Sequence, residues 1–403
     1  MNMTQIPPCH ASFAPIDELY DPPFRCKPIL PKAYLIQEKL HPRFYRRNHM
    51  FYAAPSIGRS TGGRLFATWY SGGAMEPSLE AFSIVAVSDD QGLHWKEIMV
   101  AVGNPKTRTQ LLDMQCFTDP SGRFWLCWHL RNWGIPKDKP KHFECWAMTC
   151  DNADDDAPRF SEPIYIGDGF MRNQPTFLKN GNWLLPAYNL CQDRYQFLLS
   201  RDHGKTFEPK YGCKKFPTFF DEQMYLERED GSLLMIARAL KGYLVESVSK
   251  DGGETWSEVT QTAIEHPHTR PFIRRLPSGQ VLLINNEHKK ARINLKVYLS
   301  EDDAHTWKHT MMLDSRQTSY PDAVFGDHGE IYIIHDHGRE SFKEILVSRI
   351  TEEDIMAGEI VSHDSYANHI IAKGPSVPEL GEEFQAASRA EFEKFLKEIG
   401  EVK

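Results

Sequence analysis

The stretch SDDQGLHW, Ser88–Trp95, follows directly on the apolar run AFSIVAV. Its pattern is Ser-x-Asp-x-Gly-x-x-Trp, an acidic turn in which glycine supplies a positive φ and the aromatic closes back over a hairpin. The pattern recurs as SRDHGKTF at Ser200–Phe207, SKDGGETW at Ser249–Trp256 and SEDDAHTW at Ser300–Trp307, the last with Ala304 in the glycine's place. The starts lie 112, 49 and 51 residues apart, so the first gap holds about two periods. DNADDDAPRF, Asp151–Phe160, is acidic, turn-rich and aromatic-terminated, and reads as a degraded copy inside that gap.

A second repeat gives the count independently. The segments GGRLFATW, SGRFWLCW, NGNWLLPA, DGSLLMIA, SGQVLLIN and HGEIYIIH place a turn glycine at Gly63, Gly122, Gly181, Gly231, Gly279 and Gly329, at intervals of 59, 59, 50, 48 and 50 residues. A period near 50 that holds a glycine turn, apolar strands and an acidic box is a four-stranded unit repeated six times. Such units cannot bury both faces alone, and radial closure leaves few open sheet edges. The fold class read here is all-β, a six-bladed β-propeller over residues 45–350. Residues 1–44 are Pro-rich and are expected to pack on its outside, and residues 351–403 to form a short helical tail. In that tail TEEDIMAG carries a capping Thr351 and an acidic first turn, and Phe392, Phe395, Leu396 and Ile399 make a second amphipathic stripe.

The chain has 403 residues, a formal charge of −8 and no apolar run near 18 residues. These values argue against a nucleic-acid binder, which would carry a basic stripe, and against a transmembrane helix. They leave room for an anionic ligand, because a few arginines can act locally in an acidic protein. The eight cysteines contain no CxxC pair and read as reduced, buried thiols. With no basic-then-apolar leader in the first residues, a cytoplasmic location is expected.

The acidic boxes, at this spacing, resemble the Asp boxes of the sialidase superfamily, also called bacterial neuraminidase repeats, over roughly residues 50–350. The resemblance implies a propeller; it leaves activity to other residues, because Asp boxes also occur in propellers with no sialidase activity. Sialidases use three arginines on the substrate carboxylate, a tyrosine nucleophile helped by a glutamate, and a mobile acid/base. By resemblance, SYPDAVFGDHGEIYIIHD places Tyr320 as the nucleophile, and DEQMYLEREDGSLLMIAR places Glu222 as its glutamate, with Glu227 second, and Arg238 as an arginine. RINLKVYLSEDDAHTW places Arg292 as another. A tyrosine with an ordinary pKa of about 10 needs such a carboxylate to take its proton and arginines to favour its anion.

Two positions depart from that pattern. In YAAPSIGRS, Ala53 stands where the first arginine belongs, so the triad is incomplete unless Arg59, Arg46 or Arg47 reaches in. In GGAMEPSLEAF the only carboxylates available as the acid/base are Glu76 and Glu80. The shortfall predicts that a sialic acid is a poor substrate and that a less demanding acid such as a uronate suits the site. Further polar candidates near strand ends, where propeller pockets are lined, are His266, His268 and Arg270 in EHPHTRPFIRR, His335, His337 and Arg339 in IIHDHGRE, His129 and Arg131 in WHLRNW, and Arg172, Asn173 and Gln174 in MRNQPT. Strand alternation lets only the two histidines of HDH share a face, so no metal or other cofactor is expected.

The function these residues point to is an exo-acting retaining glycoside hydrolase that removes a terminal acidic sugar, sialic-acid-like or uronate, from an oligosaccharide. Tyr320 attacks, Glu222 takes its proton, Arg238 and Arg292 hold the carboxylate, and Glu76 or Glu80 protonates the leaving group. A lyase acting beside a uronate by β-elimination, with Tyr320 or a histidine as base, and a non-catalytic sugar-binding propeller are the alternatives. A homo-oligomer remains open.

Overall fold

The structure, a computed structural model, describes residues 51–72, 81–102, 109–132, 142–190, 192–218, 220–339 and 341–375, with His49, Ala390 and Lys394. Six four-stranded antiparallel sheets follow one another along the chain, each with its strands in sequence order. Their first strands are Ala53–Arg59, Thr109–Thr118, Thr176–Phe177, Met224–Glu227, Phe272–Arg275 and Thr318–Phe325, and each is followed by its glycine turn. The six turn glycines have φ between 81° and 99°, which is why the repeat keeps glycine there. A two-stranded ladder, Phe170–Met171 against Ala187–Tyr188, extends the third blade inward.

Apolar side chains fill the seams between neighbouring blades. Phe66 of the first blade meets Phe124 of the second at 4.1 Å between ring centroids, and Trp125 of the second meets Trp183 of the third at 5.5 Å. The first and last blades share an apolar seam that includes Ile57, Trp69, Ile334 and Val347, and add polar contacts to it: Asp322 accepts from Ser56 Oγ at 2.5 Å and from the Ile57 amide at 3.1 Å. On the outside, Tyr366 donates to the Gln91 carbonyl at 2.9 Å. Each described cysteine is buried and outside any disulfide.

The acidic boxes occupy the turns between third and fourth strands, on the outer part of blades one, three, four and five. In the first, Ser88 Oγ donates to Asp90 at 2.9 Å and accepts from the Gly92 amide at 3.0 Å, while Asp90 accepts from the His94 amide at 2.9 Å. Ser249 and Asp251 repeat this geometry, as do Ser300 and Asp302. The second blade keeps a reduced version, in which Asn152 accepts from Cys150 Sγ at 3.1 Å and from the Arg159 amide at 3.0 Å. The degraded copy is thus a box with Cys and Asn in place of Ser and Asp.

The sixth blade corrects the domain boundary expected at 350. Its fourth strand, Tyr366–Lys373, lies beyond a short helix, Glu352–Ala357, so the propeller continues to Lys373. No acidic box marks this strand because the helix replaces it, stopped and started by the Thr351–Asp354 capping box and by Gly358 at φ 81°. The expected extension at 1–44 and the Phe392–Ile399 stripe lie outside the described residues, and no helix among the described residues is long and apolar enough to cross a membrane.

Box glycines differ in what surrounds them. A Cβ on Gly204 would come within 2.3 Å of the buried Trp183 ring, at a φ of 79°. Ala304 already carries its methyl at φ 65° in the equivalent place. Gly204→Ala should therefore lower unfolding stability by roughly 2–4 kcal/mol, read from denaturant titration; a loss under half a kcal/mol would contradict the packing described.

Candidate functional site

Counting back nine residues from each turn glycine gives Ala54, Asp113, Arg172, Glu222, Arg270 and Tyr320. All six are buried, one per blade. Four of them adopt left-handed backbone, with φ of 48° at Ala54, 49° at Asp113, 44° at Glu222 and 55° at Tyr320. The strand register shifts across three of these points, Ala53/Ser56, Leu112/Gln115 and Ser319/Asp322. A bulge of this kind re-aims a side chain, and a non-glycine residue held at positive φ stores strain where function needs a set geometry. Seven residues after each turn glycine stand Tyr70, His129, Tyr188, Arg238, Asn286 and Asp336, a second buried set on the neighbouring strands.

The first set converges on Tyr320. Its hydroxyl donates to Glu222 Oε1 at 2.5 Å and accepts from Arg238 Nη1 at 3.1 Å and Arg172 Nη1 at 3.3 Å. Arg238 Nη1 also reaches Glu222 Oε2 at 2.6 Å, and Arg172 bridges Glu222 at 2.8 Å and Asp113 at 2.7 Å. Three further guanidinium groups face the Tyr320 ring: Arg339 at 4.2 Å, Arg270 at 5.2 Å and Arg292 at 5.3 Å from its centroid. Phe220 lies over Arg172 and Arg238 at 4.8 and 5.3 Å, an apolar cover for the two cations.

Burial alone would raise the Glu222 carboxyl, but Arg238, Arg172 and the Tyr320 hydrogen bond together hold it well below the usual carboxylate range. Arg172 behaves in the mirror sense: burial opposes its charge, and Asp113, with the groups beyond it, raises its pKa well above normal. His268 is pushed down to about 3, first by burial and then by Arg238 and Arg292, so at neutral pH its Nδ1 accepts from Arg238 Nη2 at 2.7 Å.

Tyr320, Glu222, Arg238, Arg172, Arg292 and His268 thus share one site. Other sequence candidates lie elsewhere. Arg59, offered as a replacement arginine, sits five residues further along its strand and pairs with Asp327 at the turn of the sixth blade. Arg270 donates to the carbonyls of Arg172, Pro55, Tyr320 and Pro321, so its guanidinium is engaged by backbone beneath the tyrosine and is not offered to a ligand. His335 packs on Asp314 at 3.3 Å, because strand alternation points Asp336 toward the axis and its two histidine neighbours away. His266 is buried on Asn285 and Thr269. Glu76 and Glu80 lie outside the described residues, as do Arg46 and Arg47. Among the described residues no cluster of three His, Cys, Asp or Glu side chains could hold a metal.

One participant, Asp113, escaped the sequence reading, though it was recoverable from the nine-residue offset. Arg339, singled out with His335 and His337 at a strand end, lies on the loop after the second strand of blade six; its carbonyl accepts from the Tyr52 amide at 3.1 Å, which brings it beside the alanines where an arginine was missing.

A family model of the BNR repeat-like domain matches residues 63–333, more than half of the chain. The chain belongs to the BNR repeat-like family. This BNR repeat-like chain is 30% identical over 101 residues to the anhydrosialidase of Macrobdella decora, a match spanning 25% of this chain and 13% of that protein. Among solved structures it resembles the leech intramolecular trans-sialidase complexed with 2,7-anhydro-Neu5Ac, with a TM-score of 0.64 at 13% identity over 82% of this chain and 71% of that one. The intramolecular trans-sialidase of Ruminococcus gnavus gives 0.61 at 14% identity over 80% and 98%. A Hadza microbial sialidase gives 0.60 at 18% identity over 72% of this chain and 64% of that one, so the chain spans just under two thirds of that relative. At these identities the structural likeness establishes a sialidase-like propeller.

The electrostatics give a stability test. Glu222 is depressed from an ordinary value of 4.5, so its ionisation favours the folded state above that pH, and the contribution is lost as pH falls below it. Glu222→Gln leaves the buried Arg238 without its carboxylate and Arg172 with Asp113 alone, and should unfold about 3–5 kcal/mol more easily at pH 7. The gap from the native protein should narrow between pH 5 and pH 2, measured by thermal unfolding; a gap independent of pH would remove Glu222 from the ion network.

Proposed function

We propose that this protein is an exo-acting glycoside hydrolase that removes a terminal acidic sugar with retention of configuration, using Tyr320 as nucleophile. The observation that carries this is the 2.5 Å hydrogen bond from the buried Tyr320 hydroxyl to Glu222, made where two guanidinium groups also reach the phenol oxygen. As the phenol oxygen attacks the anomeric carbon, its proton passes to Glu222 Oε1, and the bond to the leaving-group oxygen breaks. Arg172 and Arg238 stand ready for the charge that develops across the Tyr–Glu pair, in a site Phe220 shields from water. A water then attacks the anomeric carbon and gives its proton to the carboxylate that had protonated the leaving group, the carbon–oxygen bond to Tyr320 breaks as Glu222 returns its proton to the phenol oxygen, and the free sugar leaves with its original anomeric configuration. The acid that protonates the leaving group is assigned to Glu76 or Glu80 on sequence grounds.

Several relatives are named as sialidases or intramolecular trans-sialidases, which supports an acidic sugar as substrate. The arginine-rich surroundings of Tyr320 support the same class.

Incubation with a panel of acidic oligosaccharides, read by mass spectrometry, tests the reaction. Hydrolysis adds the mass of water; an unsaturated product would replace it with elimination, and an anhydro sugar with intramolecular transfer. On whichever acidic substrate is turned over, Tyr320→Phe should abolish turnover while holding ligand affinity within about tenfold, because it deletes the reacting oxygen and no carboxylate contact. Undiminished activity in that variant would exclude the tyrosine from the chemistry.

A further inference from the structure

The innermost strands carry the tyrosine cluster at their starts and run to the glycine turns, so the propeller axis has a second mouth at the turn end. Arg274 of blade five comes four residues after Arg270, which puts it about 13 Å further along at about 3.3 Å per residue. Its guanidinium crosses to blade three, where Nη1 donates to Gln174 Oε1 at 2.7 Å and Nη2 to the Pro175 carbonyl at 3.1 Å. Among the described residues it forms no ion pair with a carboxylate, and Gln174 is the reason. The Gln174 Nε2 donates to Asp322 at 2.8 Å and to the Ile57 carbonyl at 2.7 Å, so a neutral amide stands between Asp322 and the cation. Burial lowers the pKa of Arg274, and the field of Asp322 offsets only part of that effect.

Arg274 lines a cavity of about 260 Å³ bounded by the first strands of blades three, four and five, and Lys179, Glu227 and Arg275 line it too. These neighbours are engaged within the chain. Lys179 pairs with Glu229 at 3.0 Å, and Arg275 pairs with Asp303 and reaches Glu229 at 3.5 Å. Glu227, the carboxylate of the lining, accepts from the Lys179 amide at 2.6 Å and makes no hydrogen bond to Arg274. Arg274 thus faces the cavity with two of its five N–H groups committed. A neutral amide could tie blade five to blade three as well, without the cost of desolvating a charge.

We infer that this second mouth binds a small tetrahedral oxyanion, inorganic phosphate or the phosphate of a monoester, with the Arg274 fork on two of its oxygens and Lys179 on a third. The cavity is smaller than the usual pocket for a drug-sized ligand, which suits a group of this size. The site lies at the other end of the axis from Tyr320 and does not depend on the acidic-sugar reading.

Titration calorimetry with inorganic phosphate on the full chain, in chloride buffer of matched ionic strength, tests the assignment. Saturable binding with a Kd of about 1 mM or tighter is expected. Arg274→Gln should weaken it about tenfold or more, through loss of charge-assisted contacts, and Lys179→Gln about threefold, because that ammonium is half exposed. Arg292→Gln should leave it unchanged, which separates this mouth from the cluster around Tyr320. Glucose 6-phosphate as a second probe tells the two sources apart: a tighter Kd that still depends on Arg274 assigns the monoester, and a weaker one the free anion. Lys179→Gln alters an exposed side chain, so it decides the matter if Arg274→Gln folds poorly. Absence of saturable binding overturns the inference. So does undiminished affinity in Arg274→Gln, or in Lys179→Gln where the arginine variant folds poorly, and so does loss of binding in Arg292→Gln.

Discussion

One guanidinium group on the propeller axis ties the closure of the ring to the geometry of its site. Arg270, from the fifth blade, donates to the carbonyls of Pro55, Arg172, Tyr320 and Pro321, which belong to the first, third and sixth blades. The arrangement follows from the sequence. Pro55 and Pro321 come directly after Ala54 and Tyr320, have no amide proton for the ladder, and lie where the strand register shifts. The carbonyls released at those bulges point into a place water does not reach, where an unpaired acceptor costs about 1–3 kcal/mol. A planar cation with several donors can serve all of them at once; a lysine could not match that fork.

The same contact explains why Tyr320 is held so firmly. Its backbone carbonyl is bonded by Arg270, its φ is positive, and its ring lies between guanidinium groups of blades five and six. The phenol has little choice of direction. Glu222, in the same left-handed conformation on the fourth blade, meets it across the axis. The strain is borne at the positions where reacting groups must be aimed, and the six hydrophobic seams between blades supply the rigidity that sustains it.

Much of this was legible in the turn glycines. Their spacing counts the blades, and nine residues before each lies the residue that faces the axis, so Asp113 and Arg172 were encoded as plainly as Tyr320. Motif resemblance directed attention to residues matching a known set and passed over Asp113, which has no counterpart in that set. Arg339 was legible as a polar group near a strand end, but its contact with the tyrosine was not. Its place depends on how the loop after Ile331–His337 turns back over the first blade, a tertiary relation that no periodicity records. The final strand, Tyr366–Lys373, was missed for a related reason: a helix cap had taken over the task of the acidic turn, and the repeat carries no mark where its chemistry is replaced.

The charge pattern bears on whether this cluster is structural cement between blades. Buried ion networks contribute little net stability, because desolvation offsets most of their attraction, so a purely structural cluster gains nothing from an excess of one sign. Here Glu222 and Asp113 answer Arg172 and Arg238, and Asp336 answers Arg339. Arg292 stands beside them with a carbonyl as its hydrogen-bond acceptor and two other cations within its field. Folding would be easier with a neutral side chain at that position. A cation retained in half-buried surroundings against its own desolvation, at the edge of a cavity and next to a strained tyrosine, is accounted for when a negative charge arrives from outside the chain.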